Sequence, residues 1–309
     1  MSRLLFICSK GGEAFLPEIV KYASGFIETS TCYCSNLSEL AAAAASADII
    51  WLEWADAVTV ELSNRGLLDG KKVILRIHSY EAFSNAIMMI KWDKIEDLIF
   101  VAPHIAEICF SRNPEIQKNV KAVHIIPNGV NLEKFRFSEH RPGREIAFLG
   151  TVNYKKGPML LFHAFNELIS CGGDYNLHIG GVIEDMRFYF YYSQMAEELG
   201  IKDRIFFENR INDVPDWLKD KNYIVTSSVL ESQQMAIMEA MACGVKPLIH
   251  NFVGARKVYP DHLIWNTIHD FVKMVQENSY DSASYRKYIR ANYSLDKQMS
   301  AIRQLICPE

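Results

Sequence analysis

Short apolar runs alternate with helical stretches along the chain, and this alternation limits the fold more than any other feature. Runs at residues 3–8, 48–52, 72–77, 98–102 and 122–126 read as strands, with helical patterns at 15–26, 37–47 and 104–110 between them. The second half repeats the scheme, with strands at 145–149, 175–179, 205–208, 223–227 and 245–249. Its helical patterns fall at 158–170, 187–199, 214–219, 235–243 and 267–277. Strands too apolar to leave one face wet, joined by helices, build parallel sheets covered on both sides. Two such halves predict an α/β protein of two doubly wound, Rossmann-like domains facing across a cleft. At 309 residues the chain is long enough for two substantial cores. Polar residues with Pro142 and Gly143, over 138–144, read as the linker. This gives an amino-terminal domain of 1–140, a second domain of 141–284, and a helical tail of 285–309.

The most informative unit spans residues 223–250: a strand, a polar loop at 229–233, a helix ended by Gly244, and another strand. Pro247 marks that last strand as near an edge or at its start. Glu231 lies in the loop beside the helix N-terminus, where free N–H groups and the dipole favour anions such as phosphate. Helical side chains tilt toward the N-terminus, so Glu239 leans back toward any ligand held there. Carboxylates suit paired sugar hydroxyls, and a phosphorylated sugar or nucleotide is the expected ligand class.

Other strand ends add candidates. Gly11 and Gly12 follow the first strand, where a glycine turn serves either close backbone approach to a ligand or a tight strand-to-helix turn. Trp54, beyond the strand at 48–52, is either a sugar-stacking ring or a packing residue. His78 follows the strand at 72–77, a place more often open to a cleft than to the core. Lys155 and Lys156 precede a helix that opens on Pro158, and a lysine there supplies a point charge to phosphate. Gly180 and Gly181 end another strand, and Arg210 beyond 205–208 is either a base-stacking cation or a surface arginine. Five successive aromatics, Phe188 to Tyr192, cannot all be buried in one helix. Residues 126–131, Ile-Pro-Asn-Gly-Val-Asn, form a turn.

Glu231, seven residues, then Glu239-Ala-Met-Ala-Cys-Gly resembles the E-x7-E signature of the glycosyl transferases group 1 family, retaining enzymes of the GT-B fold. Residues 126–131 resemble its I-P-N-G-V-D segment, and Gly150 to Gly157 its G-R-L-x-x-x-K-G segment. The likeness is good over roughly 120–260 and loose in the first domain. It implies transfer of a sugar from a nucleotide-sugar donor, a UDP- or GDP-sugar, to a hydroxyl of a sugar or glycolipid acceptor, with retention. Glu239 would hold the donor ribose and Lys156 the diphosphate. Glu231 would lie near the sugar, with the backbone amides of Ser232, Gln233, Gln234 and Met235 facing the phosphates. His78 would contact the transferred sugar, Gly11 and Gly12 would line the cleft, and Arg210 would sit by the base. The last helix would cross back onto the first domain.

Two departures stand out. Thr151 occupies the family's arginine position, so either Lys155 compensates or donor binding differs. Ser232-Gln233-Gln234 replaces a Gly-Phe-Gly type segment. These departures favour an alternative reading, a non-catalytic nucleotide-sugar-binding or scaffold protein, whereas the retained Glu231, Glu239, Lys156 and His78 favour the enzyme. A nucleotide-sugar epimerase on the same fold is a third reading, disfavoured by the E-x7-E and Lys-Gly pairing. No D-x-D motif occurs, so lysine and helix dipole, rather than a metal or other cofactor, are expected to meet the diphosphate charge.

Composition excludes other classes. A net charge of −4 gives no general affinity for nucleic acid. Seven scattered cysteines without a C-x-x-C argue against a disulfide framework or a zinc site, and Cys32 and Cys34 read as buried thiols. No apolar run approaches the roughly 18 residues of a spanning helix, and the first strand is too short for a signal segment. The expectation is a cytoplasmic protein, with peripheral contact to a membrane left open.

Overall fold

A computed structural model describes residues 2–33, 36–277 and 279–307, and Cys34 lies outside the described residues. The chain forms two compact units, one of residues 1–128 with 296–309 and one of residues 129–295. The first unit holds six parallel strands: β1 (Arg3–Cys8), β2 (Glu28–Cys32), β3 (Ile49–Glu53), β4 (Lys72–Ile77), β5 (Asp97–Phe100) and β6 (Ala122–Ile125). Their order is β2-β1-β3-β4-β5-β6. The second unit holds β7 (Glu145–Leu149), β8 (Asn176–Gly180), β9 (Ile205–Asn209), β10 (Tyr223–Thr226), β11 (Lys246–His250) and β12 (Ile264–Trp265), ordered β12-β11-β10-β7-β8-β9. Both sheets are parallel throughout.

Apolar runs became central strands because helices cover both sheet faces. Residues of β3 and β10 are buried without exception. The edge strands β2, β6 and β9 are wetter, and β2, Glu-Thr-Ser-Thr-Cys, is a strand that hydrophobicity does not announce. Cys32 at its end is half-buried rather than buried. The helix expected over 15–26 is shorter: a 3-10 turn, Glu13–Phe15, comes first, and Pro17 starts the helix Pro17–Ala23 at its favoured position. Pro247 stands at the start of a strand that is not an edge, since β11 lies between β10 and β12. Because β12 pairs only with Ile249 and His250, the flank of Pro247 faces no neighbouring strand there. In the aromatic helix Met186–Glu198, Tyr192 turns into the core and donates to the Pro158 carbonyl, whereas Phe190 is 66% exposed.

The units divide at 128/129 and 295/296, not at 140/141 and 284/285. Local bonds explain the shift. Arg286 donates to the carbonyls of Leu132, Phe135 and Ala242, and Ser138 N–H donates to Cys243 O at 3.0 Å. These bonds tie residues 132–138 to the second unit. The helical pattern at the carboxyl end is two helices, Ser282–Asn292 and Leu295–Ile306. Between them Tyr293 O accepts from Val130 N–H at 2.7 Å, and Leu295 N–H donates to Val130 O at 3.0 Å. Residues 296–307 group with the first unit, where Lys72 donates to the Leu305 carbonyl.

Candidate functional site

Each sheet reverses its strand order once, between β1 and β3 in the first unit and between β7 and β10 in the second. Open parallel sheets bind ligands beyond the carboxyl ends of their strands at such reversals. Most residues singled out from the sequence sit in those two places.

In the second unit, β7 leads to the 3-10 turn Tyr154–Lys156 and β10 leads to the loop that carries Glu231. The turn is docked on that loop. Ser227 Oγ donates to Lys156 O at 2.7 Å, and Val229 N–H donates to Lys155 O at 2.9 Å. Gly157 allows the approach: its φ is 62°, and a Cβ there would lie 2.1 Å from Ser227 O. The two lysine heads are thereby brought to one carboxylate, that of Glu231, which is 5% exposed. Lys156 Nζ donates to Glu231 Oε1 at 2.6 Å, Ser228 Oγ donates to the same oxygen at 3.1 Å, and Lys155 Nζ donates to Oε2 at 3.1 Å. Burial would raise the Glu231 carboxyl, but Lys156 and then Lys155 outweigh it and hold the group below its ordinary range. Lys156 is itself lowered, because desolvation exceeds the attraction of Glu231. Two ammoniums face one carboxylate, which leaves a surplus positive charge.

That surplus sits in the loop leading into the helix Met235–Cys243. Its N-cap, Gln234, has φ 44° and the helix has no side-chain cap. The Ile237 N–H donates to Gln234 O at 3.0 Å, and the Met235 and Ala236 N–H groups are left at the positive end of the helix dipole. Gln233 and Gln234 are buried; Tyr259 OH donates to Gln233 O at 2.5 Å, and Gln234 Oε1 is buried with no hydrogen-bond partner among the described residues. Ser232 and Met235 are half-buried in the same stretch. One helical turn on, Glu239 is half-buried and makes no hydrogen bond or ion pair among the described residues. Burial pushes its carboxyl up to about 7, with Lys134 opposing weakly. The two glutamates of the motif thus differ: one is saturated, the other open. Thr151 is exposed, and Lys155 supplies the second cation at Glu231. Arg210 follows β9, exposed, and no contact among the described residues joins it to Lys156 or Glu231.

In the first unit, Gly11, Gly12, Trp54 and His78 gather at the ends of β1, β3 and β4. Gly11 is exposed, and its N–H donates to Glu13 Oε1 at 2.9 Å. The expectation that His78 faces outward is not met. It is 4% exposed, covered by Phe15 and Trp54, and its Nε2 lies 2.7 Å from Glu53 Oε1. Glu53 is the residue sequence reasoning missed. It also accepts from Arg76 Nη1 at 3.0 Å and Trp51 Nε1 at 2.8 Å, and Arg76 donates on to Asn128. Burial and the Arg76 charge lower His78, while Arg76 and His78 hold Glu53 down against its own burial. A carboxylate closing an apolar strand, with an arginine and a histidine at the end of the next, was the available signal.

Two parallel six-stranded sheets, each with one reversal of strand order, place the chain in the GT-B fold class. Solved structures share this fold at low identity. HepE of Anabaena in complex with UDP and glucose has a TM-score of 0.79 at 13% identity, covering 99% of each chain. The sucrose-phosphate synthase of Thermosynechococcus elongatus has a TM-score of 0.75 at 13% identity, covering 99% of this chain and 98% of that one. Residues 131–284 match the family model of the glycosyl transferases group 1, and the chain belongs to that family. A phosphatidylinositol N-acetylglucosaminyltransferase component from Arabidopsis thaliana is 25% identical over 207 residues, 63% of this chain and 45% of that protein. An Escherichia coli protein, UDP-Gal:alpha-D-GlcNAc-diphosphoundecaprenol alpha-1,3-galactosyltransferase, is 24% identical over 165 residues, 48% of this chain and 41% of that protein. The chain thus spans less than half the length of these relatives.

Proposed function

We propose that the protein is a glycosyltransferase that moves a sugar from a nucleoside-diphosphate donor to an acceptor hydroxyl, with retention at the anomeric carbon. The observation that carries this reading is that the turn after β7 and the unit after β10 bring a two-lysine cluster and an open carboxylate, Glu239, to the same strand-order reversal. A diphosphate fits the surplus charge of Lys155 and Lys156 and the uncapped helix N-terminus. Glu239 is left to accept hydrogen bonds from two ribose hydroxyls. Arg210, exposed beyond β9, offers a planar cation to the base. UDP is the favoured donor nucleotide, because HepE structures hold UDP and UDP-glucose and the E. coli relative is named for UDP-Gal.

In the proposed reaction the bond from the anomeric carbon to the diphosphate breaks, and the acceptor oxygen bonds to that carbon on the same face. The acceptor proton passes to the departing phosphate oxygen. Both lysines and the helix N-terminus stabilise the charge that grows there, in place of a metal ion. Glu231 holds the lysines in register until the donor arrives. His78, with Nε2 engaged by Glu53, supports the surface above it rather than touching the sugar.

A thermal-shift screen with UDP-, GDP-, ADP- and dTDP-sugars tests the reading, with Glu239→Ala and Lys156→Ala as controls. Ligand at 100-fold over Kd adds about 2.7 kcal/mol to folding stability. The expected result is a shift with one nucleotide, absent in both variants. No shift with any donor in folded protein sinks the donor site. A shift without transfer to any acceptor supports the non-catalytic reading that Thr151 and the buried Gln233 and Gln234 motivate.

A further inference from the structure

At the carboxyl ends of β1, β3 and β4, four rings form a column. Phe15 and His78 lie 4.6 Å apart at 27°, His78 and Trp54 4.1 Å apart at 32°, and Trp54 and Tyr80 5.3 Å apart at 37°. The Arg76 guanidinium stands 5.9 Å from the Phe15 ring centre. Exposure rises from His78 toward Tyr80, with His78 4% exposed, Trp54 9% and Tyr80 55%, while Phe15 on the other side of His78 is half-buried. A stack rooted in the buried Glu53–Arg76–His78 cluster therefore ends in an aromatic surface open to solvent.

The stack is held against strain. Trp54 has φ 89°, a backbone state bulky residues rarely adopt. Three bonds keep it there: its N–H donates to Arg76 O at 3.1 Å, its Nε1 to Gly12 O at 2.9 Å, and its carbonyl accepts from Thr59 Oγ1 at 2.8 Å. Gly12 leaves the necessary room, since a Cβ there would lie 2.6 Å from Trp54 Nε1. Strain of this kind collects where a surface must present a particular side chain.

The surroundings select the ligand. Besides burial, the carboxylates of Glu81 and Asp56 are close enough to push the Tyr80 phenol up. Asp56 caps the following helix through Oδ1, at 2.9 Å from Val58 N–H and 3.2 Å from Thr59 N–H, and Oδ2 has no hydrogen-bond partner among the described residues. Glu81 is itself buried, with Oε1 accepting from the His78 N–H at 3.1 Å. The half-buried Asp56 is therefore the group that repels phosphate and, through Oδ2, accepts a hydrogen bond from a hydroxyl. An aromatic face receives the C–H side of a sugar ring.

We propose that Tyr80, backed by Trp54, is a binding platform for the pyranose ring of a neutral sugar. Taking that sugar as the acceptor rests on the function proposed above; the binding itself does not. The test is saturation-transfer NMR on the full chain with the methyl glycosides of glucose, galactose, mannose and N-acetylglucosamine. Tyr80→Ala, Tyr80→Phe and Glu239→Ala are compared with wild type. At least one glycoside should show transfer to the protons of one ring face. That signal should fall at least fivefold in Tyr80→Ala and persist in Tyr80→Phe and Glu239→Ala. No signal in folded wild type, or an equal signal in Tyr80→Ala, overturns the platform. A UDP-induced thermal shift read in the same samples separates the two ideas. If UDP gives no shift while the glycoside signal depends on Tyr80, the donor reading fails and the platform stands.

Discussion

Replacing Glu239 by glutamine should stabilise the protein in mild alkali while abolishing donor binding. Burial without a partner raises this carboxyl from 4.5 to about 7. Because the folded value lies above the unfolded one, the native state holds the proton more tightly. Stability is therefore complete below the unfolded value, falls as pH climbs between the two, and carries the whole penalty above about 7. A separation of about 2.5 units at 1.36 kcal/mol each gives about 3.4 kcal/mol as the ceiling. Glu239 is half-buried, and solvent screening reduces the penalty to about 1–3 kcal/mol. Glutamine keeps the shape and removes the charge. Urea unfolding of wild type and Glu239→Gln should thus coincide at about pH 4 or below and separate at pH 8, with the variant more stable. Taking the difference between the two proteins cancels Glu81, which burial also pushes up to about 7. A variant no more stable than wild type at pH 8 would refute the argument, because the carboxylate would then be satisfied in the free protein.

Two further substitutions probe the supports. Gly157→Ala would set a Cβ 2.1 Å from Ser227 O at a φ of 62°. It should cost about 2 kcal/mol or more, read from the urea midpoint; a loss under about 0.5 kcal/mol would mean the lysine turn is not locked to its neighbour. Glu53→Ala would strand the Arg76 guanidinium, which is 0% exposed. Removing one partner of such a buried pair costs about 3–5 kcal/mol. Retention of wild-type stability would show that Asn128 alone satisfies the arginine.

Much of the fold was legible because parallel strands buried on both faces are mainly apolar, as β3, β4, β7 and β10 are, with Glu53, Lys72, Arg76 and Glu145 as their only charges. The edge strand β2 escaped notice for the converse reason, as its residues are polar and its place is set by pairing with β1. The break between the last two helices was also hidden. It is made at Tyr293–Leu295 by hydrogen bonds to Val130, more than 160 residues away in sequence. No local propensity encodes such a contact. In the candidate site, the order of strand, loop and helix anticipated where Glu231, Glu239 and Lys156 stand, because it fixes the position of a residue at a given count. Burial of charge was not legible, since it depends on partners from other strands: Glu53 and His78 look like open strand-end residues until Arg76 and Trp54 are placed.

The same dependence explains how two glutamates eight positions apart acquire different chemistry. Glu231 sits in the loop where the turn after β7 arrives, so its charge is answered by Lys155 and Lys156 and its carboxyl is held low. Glu239 lies a turn into the helix, beyond the reach of that turn, and meets only partial burial and the exposed Lys134. A carboxylate already paired has little to give a ligand, and one left unpaired destabilises the free protein. The proposed donor reverses both conditions: its diphosphate competes for the lysines, and its ribose gives Glu239 the hydrogen bonds it lacks. Donor binding and relief of the stored cost are then one event. This is why the variant that should gain stability at pH 8 is also the one that should lose the ligand.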